Sequence, residues 1–203
     1  MGSEFDRSKR IGEINMKRKL ILASASPRRR ELLTAAGIEF EIIPSDAEEI
    51  KAGIPAEELA VRNAEAKALG VYNVCKEKGA YILGADTIVV IDGEILGKPR
   101  DKDDAMRMLT KLNGRTHTVI TGWCIVHPGG DIESHNDISF VRFRESGREA
   151  LINYIDTLEP MDKAGSYGIQ GAGRDLVAGI SGDLNNIIGL PTSAINRAKE
   201  LIG

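Results

Sequence analysis

The chain has 203 residues, enough for one sizeable domain with a buried core, and its 27 basic and 30 acidic residues give a formal net charge of −3. This balance argues against a general nucleic-acid binder, which would be strongly basic, and an aromatic content of 4% is too low for a base-stacking platform. No apolar run approaches the length of about 20 residues that a membrane-spanning helix needs. We therefore expect binding to neither nucleic acid nor membranes.

The ends of the domain and its location in the cell are predicted from a few residues. Residues 2–5 (Gly-Ser-Glu-Phe) have the appearance of a cloning scar, and Met16 is followed by three basic residues, as in a natural start. We expect residues 1–15 to be an expression-vector leader and 16–203 to form a single domain. Cys75 and Cys124 lie in apolar surroundings and fit no metal-ligand spacing, so they are predicted to be reduced core residues of a cytoplasmic protein.

Strand and helix signals alternate through the first half of the chain. Short apolar runs predict strands over 20–23, 40–43, 81–84 and 88–91, with Asp92-Gly93 as a hairpin turn. Helical patterns are predicted over 27–36, closed by Gly37, from 55 to about 76, and over 101–112.

The second half is richer in β signals. Strands are predicted over 116–126 and 138–143 with a turn at 127–130, and a capping box formed by Ser146 and Glu149 opens a helix that ends at 157. A glycine-rich region over 165–189 precedes a last helix over 191–201. This order predicts an α/β protein with a mixed β-sheet and flanking helices, in which the central β-rich part forms a second lobe.

Segment 20–33 joins an apolar run to two serines, a proline and three arginines. It is predicted to be a buried strand, a tight loop and a helix start, with Ser26 as the N-cap and Pro27 in the first helical position. The free N–H groups of a helix start attract anions, and Arg28 and Arg29 add positive charge there. The segment is therefore either a phosphate-binding site or a capped helix with a solvated basic turn; the latter leaves unexplained why arginine opposes the helix dipole.

Asp86 and Lys98 are further candidates for chemistry. Asp86 follows an apolar strand, where open α/β sheets bind ligands, so it could hold a divalent metal or orient water; the alternative is a turn aspartate that accepts backbone N–H bonds. Lys98 lies between Gly97 and Pro99, which limits backbone freedom and helps aim its charge, although the residue by itself favours a solvated lysine.

The segment 165–173 is too rich in glycine for a packed helix. Its glycines would let the backbone approach a ligand closely, and the Gln170 amide could read a base, unless the segment is a plain flexible loop. Glu49, in an acidic stretch, and Lys67, on a helix, carry weaker signals, because such residues are usually solvated.

Taken together, these segments resemble the Maf family of nucleoside triphosphate pyrophosphatases. The resemblance covers nearly all of the chain after Met16 and is carried by the runs 24–29, 84–87, 97–99, 163–171 and 186–191. It implies an elongated α/β fold with two lobes flanking a cleft, related to that of inosine triphosphate pyrophosphatases.

The resemblance also implies an activity, a cofactor and an assembly. The expected reaction is hydrolysis of a nucleoside triphosphate to the monophosphate and pyrophosphate, with a divalent ion such as Mg²⁺ or Mn²⁺, by a homodimer. The chain follows the branch that acts on dTTP and UTP, including modified pyrimidines, rather than the branch that favours 7-methyl-GTP. It departs from the family pattern at 181–186, where Leu184 or Asn185 takes the place of an aromatic residue.

Residue roles follow from the same resemblance. Phosphate is expected to be handled by Ser24, Arg28, Arg29 and Lys98. The catalytic set is completed by Lys67 and by two expected metal ligands, Glu49 and Asp86, of which Asp86 would also orient or deprotonate water. Gln170 and the Ser24 loop are expected to select the pyrimidine. The alternative function is a non-catalytic, nucleotide-binding regulator of cell division and septum formation.

Overall fold

The computed structural model describes residues 18–75 and 79–203, so the predicted leader at 1–15 lies outside the described residues. Seven strands are labelled in chain order as β1 (Lys19–Leu22), β2 (Phe40–Ile42), β3 (Ala80–Ile91), β4 (Glu94–Leu96), β5 (Thr116–Val126), β6 (Ile132–Phe143) and β7 (Val177–Ser181). The α-helices are α1 (Pro27–Ala35), α2 (Ala56–Val74), α3 (Lys102–Leu112), α4 (Arg148–Asp156), α5 (Leu184–Ile188) and α6 (Thr192–Ile202). Short 3-10 helices cover Glu159–Asp162, Ala164–Ser166 and Gly171–Leu176.

The strands form one mixed sheet in the order β2-β1-β3-β5-β6-β7, with β4 paired to β3. Strand β1 is parallel to β2 and β3, and the other pairs are antiparallel. This confirms the predicted α/β class with a mixed sheet and flanking helices. On one side, β3 pairs with β1 through residues 80–83 and with β4 through residues 89–91. Residues 84–88 therefore face a gap between the ends of β1 and β4.

The buried side chains gather at two ends of the long strands β3 and β5. At one end, alternate residues of β1 face opposite sides of the sheet, so Leu20 and Leu22 pack towards α1 and α6, and Ile21 packs towards α2. At the other end, Val89 and Val119 belong to a cluster shared with α3 and α4. We call the region packed around β1, α1 and α6 the first lobe and the region packed around α3 and α4 the second lobe, and the gap beside β3 lies between these two regions.

Helix α2 lies unusually close to the sheet. Ala60, Ala64 and Ala68, spaced four residues apart on one helix face, are fully buried. A Cβ added to Gly122 of β5 would lie 2.3 Å from the carbonyl of Ala60, and one added to Gly84 of β3 would lie 2.3 Å from the Ala64 oxygen. Glycine in the sheet and alanine on the helix thus let α2 rest on β3 and β5 directly.

Several element predictions are corrected at their ends. The predicted strands 81–84 and 88–91 are one strand, β3, because Gly84 and Ala85 fit beneath α2 and do not break the strand. Asp86 therefore lies within a strand, and its prediction as a strand-end or turn residue is wrong. Strand β6 begins at Ile132 rather than at 138, because the polar residues before 138 still pair with β5 and face solvent.

Of the two capping predictions, one is confirmed in position and one is wrong. Ser26 occupies the N-cap position of α1 and the proline after it begins the helix, as predicted, but the Ser26 side chain makes no capping hydrogen bond; its backbone N–H donates instead to Ser24 Oγ at 3.2 Å. Helix α4 begins after Gly147, so Ser146 and Glu149 do not form the predicted capping box. Among the described residues, none of the helices combines the length and hydropathy needed to cross a bilayer.

Candidate functional site

The candidate site lies at the gap between β1 and β4, where the edge of β3 is open. The chain leaves β1 with a hydrogen bond from the Ala23 N–H to the Leu83 oxygen (2.8 Å) and turns through Ser24 into α1. Such a break in the strand order, beside the carboxyl end of a parallel strand, leaves a crevice of the kind that binds ligands in α/β proteins.

Two carboxylates meet one ammonium group at this gap. Lys67 Nζ on α2 lies 2.6 Å from Asp86 Oδ1 and 2.6 Å from Glu49 Oε1. Asp86 is 8% exposed, whereas the Glu49 side chain is 48% exposed, so the cluster runs from the interior to the surface. The three residues, predicted from motifs far apart in the chain, are thus in direct contact.

Asn63, one turn before Lys67 on α2, is a site residue that sequence reasoning missed. Its amide nitrogen donates to Asp86 Oδ2 (3.0 Å) and to the Ile50 oxygen (3.0 Å), and its amide oxygen accepts from the Ile50 N–H (2.8 Å). The signal available in the sequence was its position four residues before Lys67, which places both on one helix face.

Arg29 connects the loop after β1 to the far end of the chain. Its Nε donates to the Gly189 oxygen (2.7 Å), Nη1 to Ser24 Oγ (3.0 Å) and Nη2 to Thr87 Oγ1 (3.2 Å). Burial lowers the pKa of Arg29, and the charge of Asp86 opposes that effect. A guanidinium remains charged and has five N–H groups, so two remain for a ligand.

A row of hydroxyl groups continues inward from Arg29. Thr87 Oγ1 lies 2.9 Å from Thr121 Oγ1, which donates to the Asn186 oxygen at 2.9 Å. These contacts tie the run 84–87 to the run 186–191, two of the segments that carry the family resemblance. Thr87 and Thr121 were missed because threonine is an ordinary strand residue.

Arg28 faces the second lobe. Burial raises the pKa of Asp162 and the Lys163 hydrogen bond lowers it, with a further lowering from Arg28, and the net effect is a lowered pKa. Within residues 18–75 and 79–203, Arg28 forms no ion pair. Its charge acts from a distance on Asp162 of the second lobe.

Lys98 and Gln170 are exposed residues of the second lobe. The Gly165 N–H donates to the Gly97 oxygen (3.0 Å), which joins the Lys98 loop to the glycine-rich segment. The structure brings neither side chain into hydrogen-bond contact with Asp86 or Arg29 among the described residues, so their roles stay predictions.

The Gln170 loop is organised by one carboxylate. Glu159 accepts from the Tyr154 hydroxyl (3.1 Å), the Ala172 N–H (3.0 Å) and the Gly173 N–H (3.4 Å). Gly171 has a φ of +70°, and a Cβ there would lie 2.6 Å from Glu159 Oε2. The glycines are thus needed for close packing around Glu159, and the segment is built of 3-10 turns rather than a free loop.

The two predicted metal ligands, Glu49 and Asp86, are carboxylates that contact the same lysine. Within the described part of the chain, no group of three or more His, Cys, Asp or Glu side chains is arranged to hold a metal. Mg²⁺ in proteins commonly uses one or two carboxylates together with water and substrate phosphates, so the pair of Glu49 and Asp86 fits such an ion.

The fold and the site define an α/β protein whose sheet opens on a cluster of basic side chains and two carboxylates, an arrangement suited to a polyphosphate ligand. The chain belongs to the Maf-like protein family, whose family model matches residues 19–200. The family resemblance predicted from the sequence motifs is confirmed.

Similar proteins cover almost the whole chain. A dTTP/UTP pyrophosphatase of Thermococcus gammatolerans is 49% identical over 182 residues, which is 90% of this chain and 96% of the relative. A protein of the same name from Aquifex aeolicus is 45% identical over 175 residues, covering 85% and 90% of the two chains. Among solved structures, a Ham1 protein of Staphylococcus aureus matches with a TM-score of 0.49 and 13% identity over 79% of this chain and 80% of that chain.

Proposed function

We propose that this protein is a nucleoside triphosphate pyrophosphatase that hydrolyses dTTP and UTP to the monophosphate and pyrophosphate. The observation that carries the proposal is the contact of Lys67 with both Asp86 and Glu49 at an open sheet edge that Arg29 also reaches. Relatives that are 45–49% identical over most of the chain and carry the name dTTP/UTP pyrophosphatase support it.

The triphosphate would be held by the loop after β1 and by cations of both lobes. Ser24 Oγ accepts from the Ser26 N–H and from Arg29, which leaves its own hydroxyl hydrogen for a phosphate oxygen. Arg28, Arg29 and Lys98 would neutralise the charge that develops on the leaving pyrophosphate. Fixed donors are most effective in a partly dry site, because they need no reorganisation during the reaction.

Glu49 and Asp86 are proposed to hold the divalent ion, Mg²⁺ or Mn²⁺, which when bound supplies charge neutralisation and a more acidic water. Lys67, in contact with both carboxylates, would help to orient them and would neutralise part of the phosphate charge. We assign Asp86 the role of general base, because it is a carboxylate held in one orientation at the gap.

The reaction is a displacement at the α-phosphorus. The oxygen of water forms a bond to the α-phosphorus, its proton passes to Asp86, and the bond from the α-phosphorus to the oxygen bridging the β-phosphorus breaks. Gln170 and the Ser24 loop would select the base, since an amide offers one donor and one acceptor to a pyrimidine ring.

Two further properties rest mainly on the family resemblance. We propose a homodimer, which light scattering of the purified protein would test. We also propose a cytoplasmic location, which agrees with the burial of Cys124 as a free thiol, since disulfides are rare in that compartment. Burial raises the pKa of Cys124 to about 12, so this thiol is unreactive.

The function is tested by pyrophosphate release from a panel of nucleotides with Mg²⁺ or Mn²⁺. We expect release from dTTP and UTP, and a loss of about a hundredfold or more in Asp86→Asn, because one fixed group at the reacting centre is removed. Asp104→Asn is the matched control, since Asp104 is a buried carboxylate with arginine partners in the other lobe.

Three outcomes would contradict parts of the proposal. Release from 7-methyl-GTP but not from dTTP or UTP would reject the assigned branch. Near wild-type turnover in Asp86→Asn would reject the role of Asp86. No release from any nucleotide, with nucleotide binding intact, would favour the non-catalytic regulator.

A further inference from the structure

Asn63 is a fully buried polar residue that contacts Asp86 and the backbone of Ile50, the residue after Glu49. Its side chain is 2% exposed, and its amide makes three hydrogen bonds, to the Ile50 N–H, the Ile50 oxygen and Asp86 Oδ2. Both amide hydrogens and the amide oxygen are therefore used. Such a fully satisfied group in the interior has one low-energy arrangement and rigidly fixes what it touches.

The two partners of Asn63 belong to different parts of the chain. Asp86 lies in the central strand β3, whereas Ile50 lies in the irregular segment between β2 and α2 and directly follows Glu49. The Asn63 amide clamps both backbone groups of Ile50, as a neighbouring strand would. It thereby fixes the backbone next to Glu49 at a set position relative to Asp86.

Lys67 alone would not set this position. Its ammonium on a flexible four-carbon stem can follow a displaced carboxylate, and the Glu49 side chain is 48% exposed. The amide of Asn63 is short, buried and planar, and α2 is held against the sheet by Gly84 and Gly122. The rigid connection between Glu49 and Asp86 therefore runs through Asn63.

We propose that Asn63 is a positioning residue that sets the spacing of the Glu49 and Asp86 carboxylates, by docking the segment 46–52 onto Asp86. The inference rests on the proposed function for its catalytic consequence, but its structural part stands without it. Asparagine satisfies this set of partners, whereas aspartate of the same shape would lack the hydrogens for the Ile50 oxygen and for Asp86, and leucine would leave the Ile50 groups unpaired.

The test combines amide hydrogen exchange with kinetics on Asn63→Ala. We expect at least about tenfold faster exchange in segment 46–52, because the Ile50 N–H loses its acceptor. We expect kcat for dTTP to fall about thirtyfold or more with KM changed by less than about threefold, because misplacement of a catalytic group by about 1 Å costs this much. Val71→Ala, a buried truncation two turns further along α2, controls for lost stability.

A second variant keeps the test decisive if the alanine variant folds poorly. Asn63→Asp retains the shape and the acceptor for the Ile50 N–H but loses the bonds donated to the Ile50 oxygen and to Asp86 Oδ2. We therefore expect kcat to fall, with exchange in segment 46–52 slower than in Asn63→Ala because the Ile50 N–H keeps its acceptor. Full activity in Asn63→Asp, or unchanged exchange and kcat in Asn63→Ala, would overturn the proposal.

The two proposals fail in different ways. If the wild-type protein releases no pyrophosphate from any nucleotide, the proposed function fails, and hydrogen exchange still decides whether Asn63 docks the segment. If the wild-type protein is active and Asn63→Ala matches Val71→Ala in both exchange and kcat, only the positioning role fails.

Discussion

Among single residues, Lys98 is one whose replacement should lower activity without changing the stability of the fold. It is exposed and forms no ion pair with any residue in the described ranges 18–75 and 79–203. We expect Lys98→Ala to lower pyrophosphate release about a hundredfold, because a fixed cation is removed from the leaving group, while unfolding free energy changes by less than about 0.5 kcal/mol. Activity assays and urea unfolding measure the two effects.

The matched control is Lys102→Ala, four residues further on. Lys102 is also largely exposed and pairs with Asp156 on the surface, an interaction of little energetic value. A loss of activity in Lys102→Ala equal to that in Lys98→Ala would contradict a specific role for Lys98, because the removal of any nearby positive charge would then have the same effect.

Some site residues can be identified from the sequence, and others only from the structure. Glu49, Lys67 and Asp86 could be named from family motifs, but their contact with one another is a property of the fold. Asn63 could not be named, because an asparagine in a helix rich in Ala, Glu and Lys is usually solvated. Only its burial beneath the segment at Ile50 distinguishes it, and that segment has no regular pattern.

At the scale of elements, the closeness of α2 to the sheet determines whether the site forms. We expect Gly122→Ala to destabilise the protein by about 1–3 kcal/mol, since its Cβ would overlap the Ala60 backbone at 2.3 Å. The helix would have to move outward, which separates Lys67 from Asp86 and lowers activity about a hundredfold. Thermal unfolding and pyrophosphate release would measure this.

Gly179→Ala is the control for replacing a strand glycine. A Cβ at Gly179, in β7, meets nothing within 4 Å, so stability and activity should stay close to wild type. If Gly122→Ala retained full activity, the close approach of α2 would not be needed to hold the site.

The elements themselves were largely predictable, and the largest error concerns β3. Helix α3 follows from a local pattern because it presents one apolar face to the core, and β5 follows because it is a continuous β-rich run that is buried on both faces. The break predicted within β3 was wrong because Asp86 was taken to follow the strand that ends at Gly84, whereas the strand continues through Gly84 to Ile91. The small size of Gly84 serves packing against α2, a tertiary contact that no local pattern contains.

At the scale of the whole molecule, the strands β3 and β5 link two separately packed lobes, and the site lies where the two cores meet. Arg28 and Lys98, the proposed phosphate-binding residues, lie on opposite sides of the gap beside β3, so both regions must be intact to place them. The second lobe packs around an aromatic cluster in which the rings of His117, Phe143 and Tyr167 meet edge to face, at centroid distances of 4.8–5.2 Å.

His117 makes the stability of this lobe depend on pH. It is 2% exposed, its Nε2 lies 2.7 Å from the Tyr167 hydroxyl, and its Nδ1 has no partner among the described residues. Burial lowers the pKa of His117 from 6.5 to about 4. Between these values the unfolded chain binds a proton that the folded chain does not, so stability falls as pH is lowered through this range.

The contribution of His117 can be isolated by mutation. From the two pKa values we expect a loss of about 2 kcal/mol in unfolding free energy between pH 7 and pH 5, and this loss should be absent in His117→Gln. Urea unfolding at both pH values measures the difference, with His135→Gln, an exposed histidine, as the control. Equal pH dependence in wild type and His117→Gln would mean that the pKa of His117 is the same in the folded and the unfolded protein, and the aromatic cluster would then have to accommodate a buried charge at pH 5.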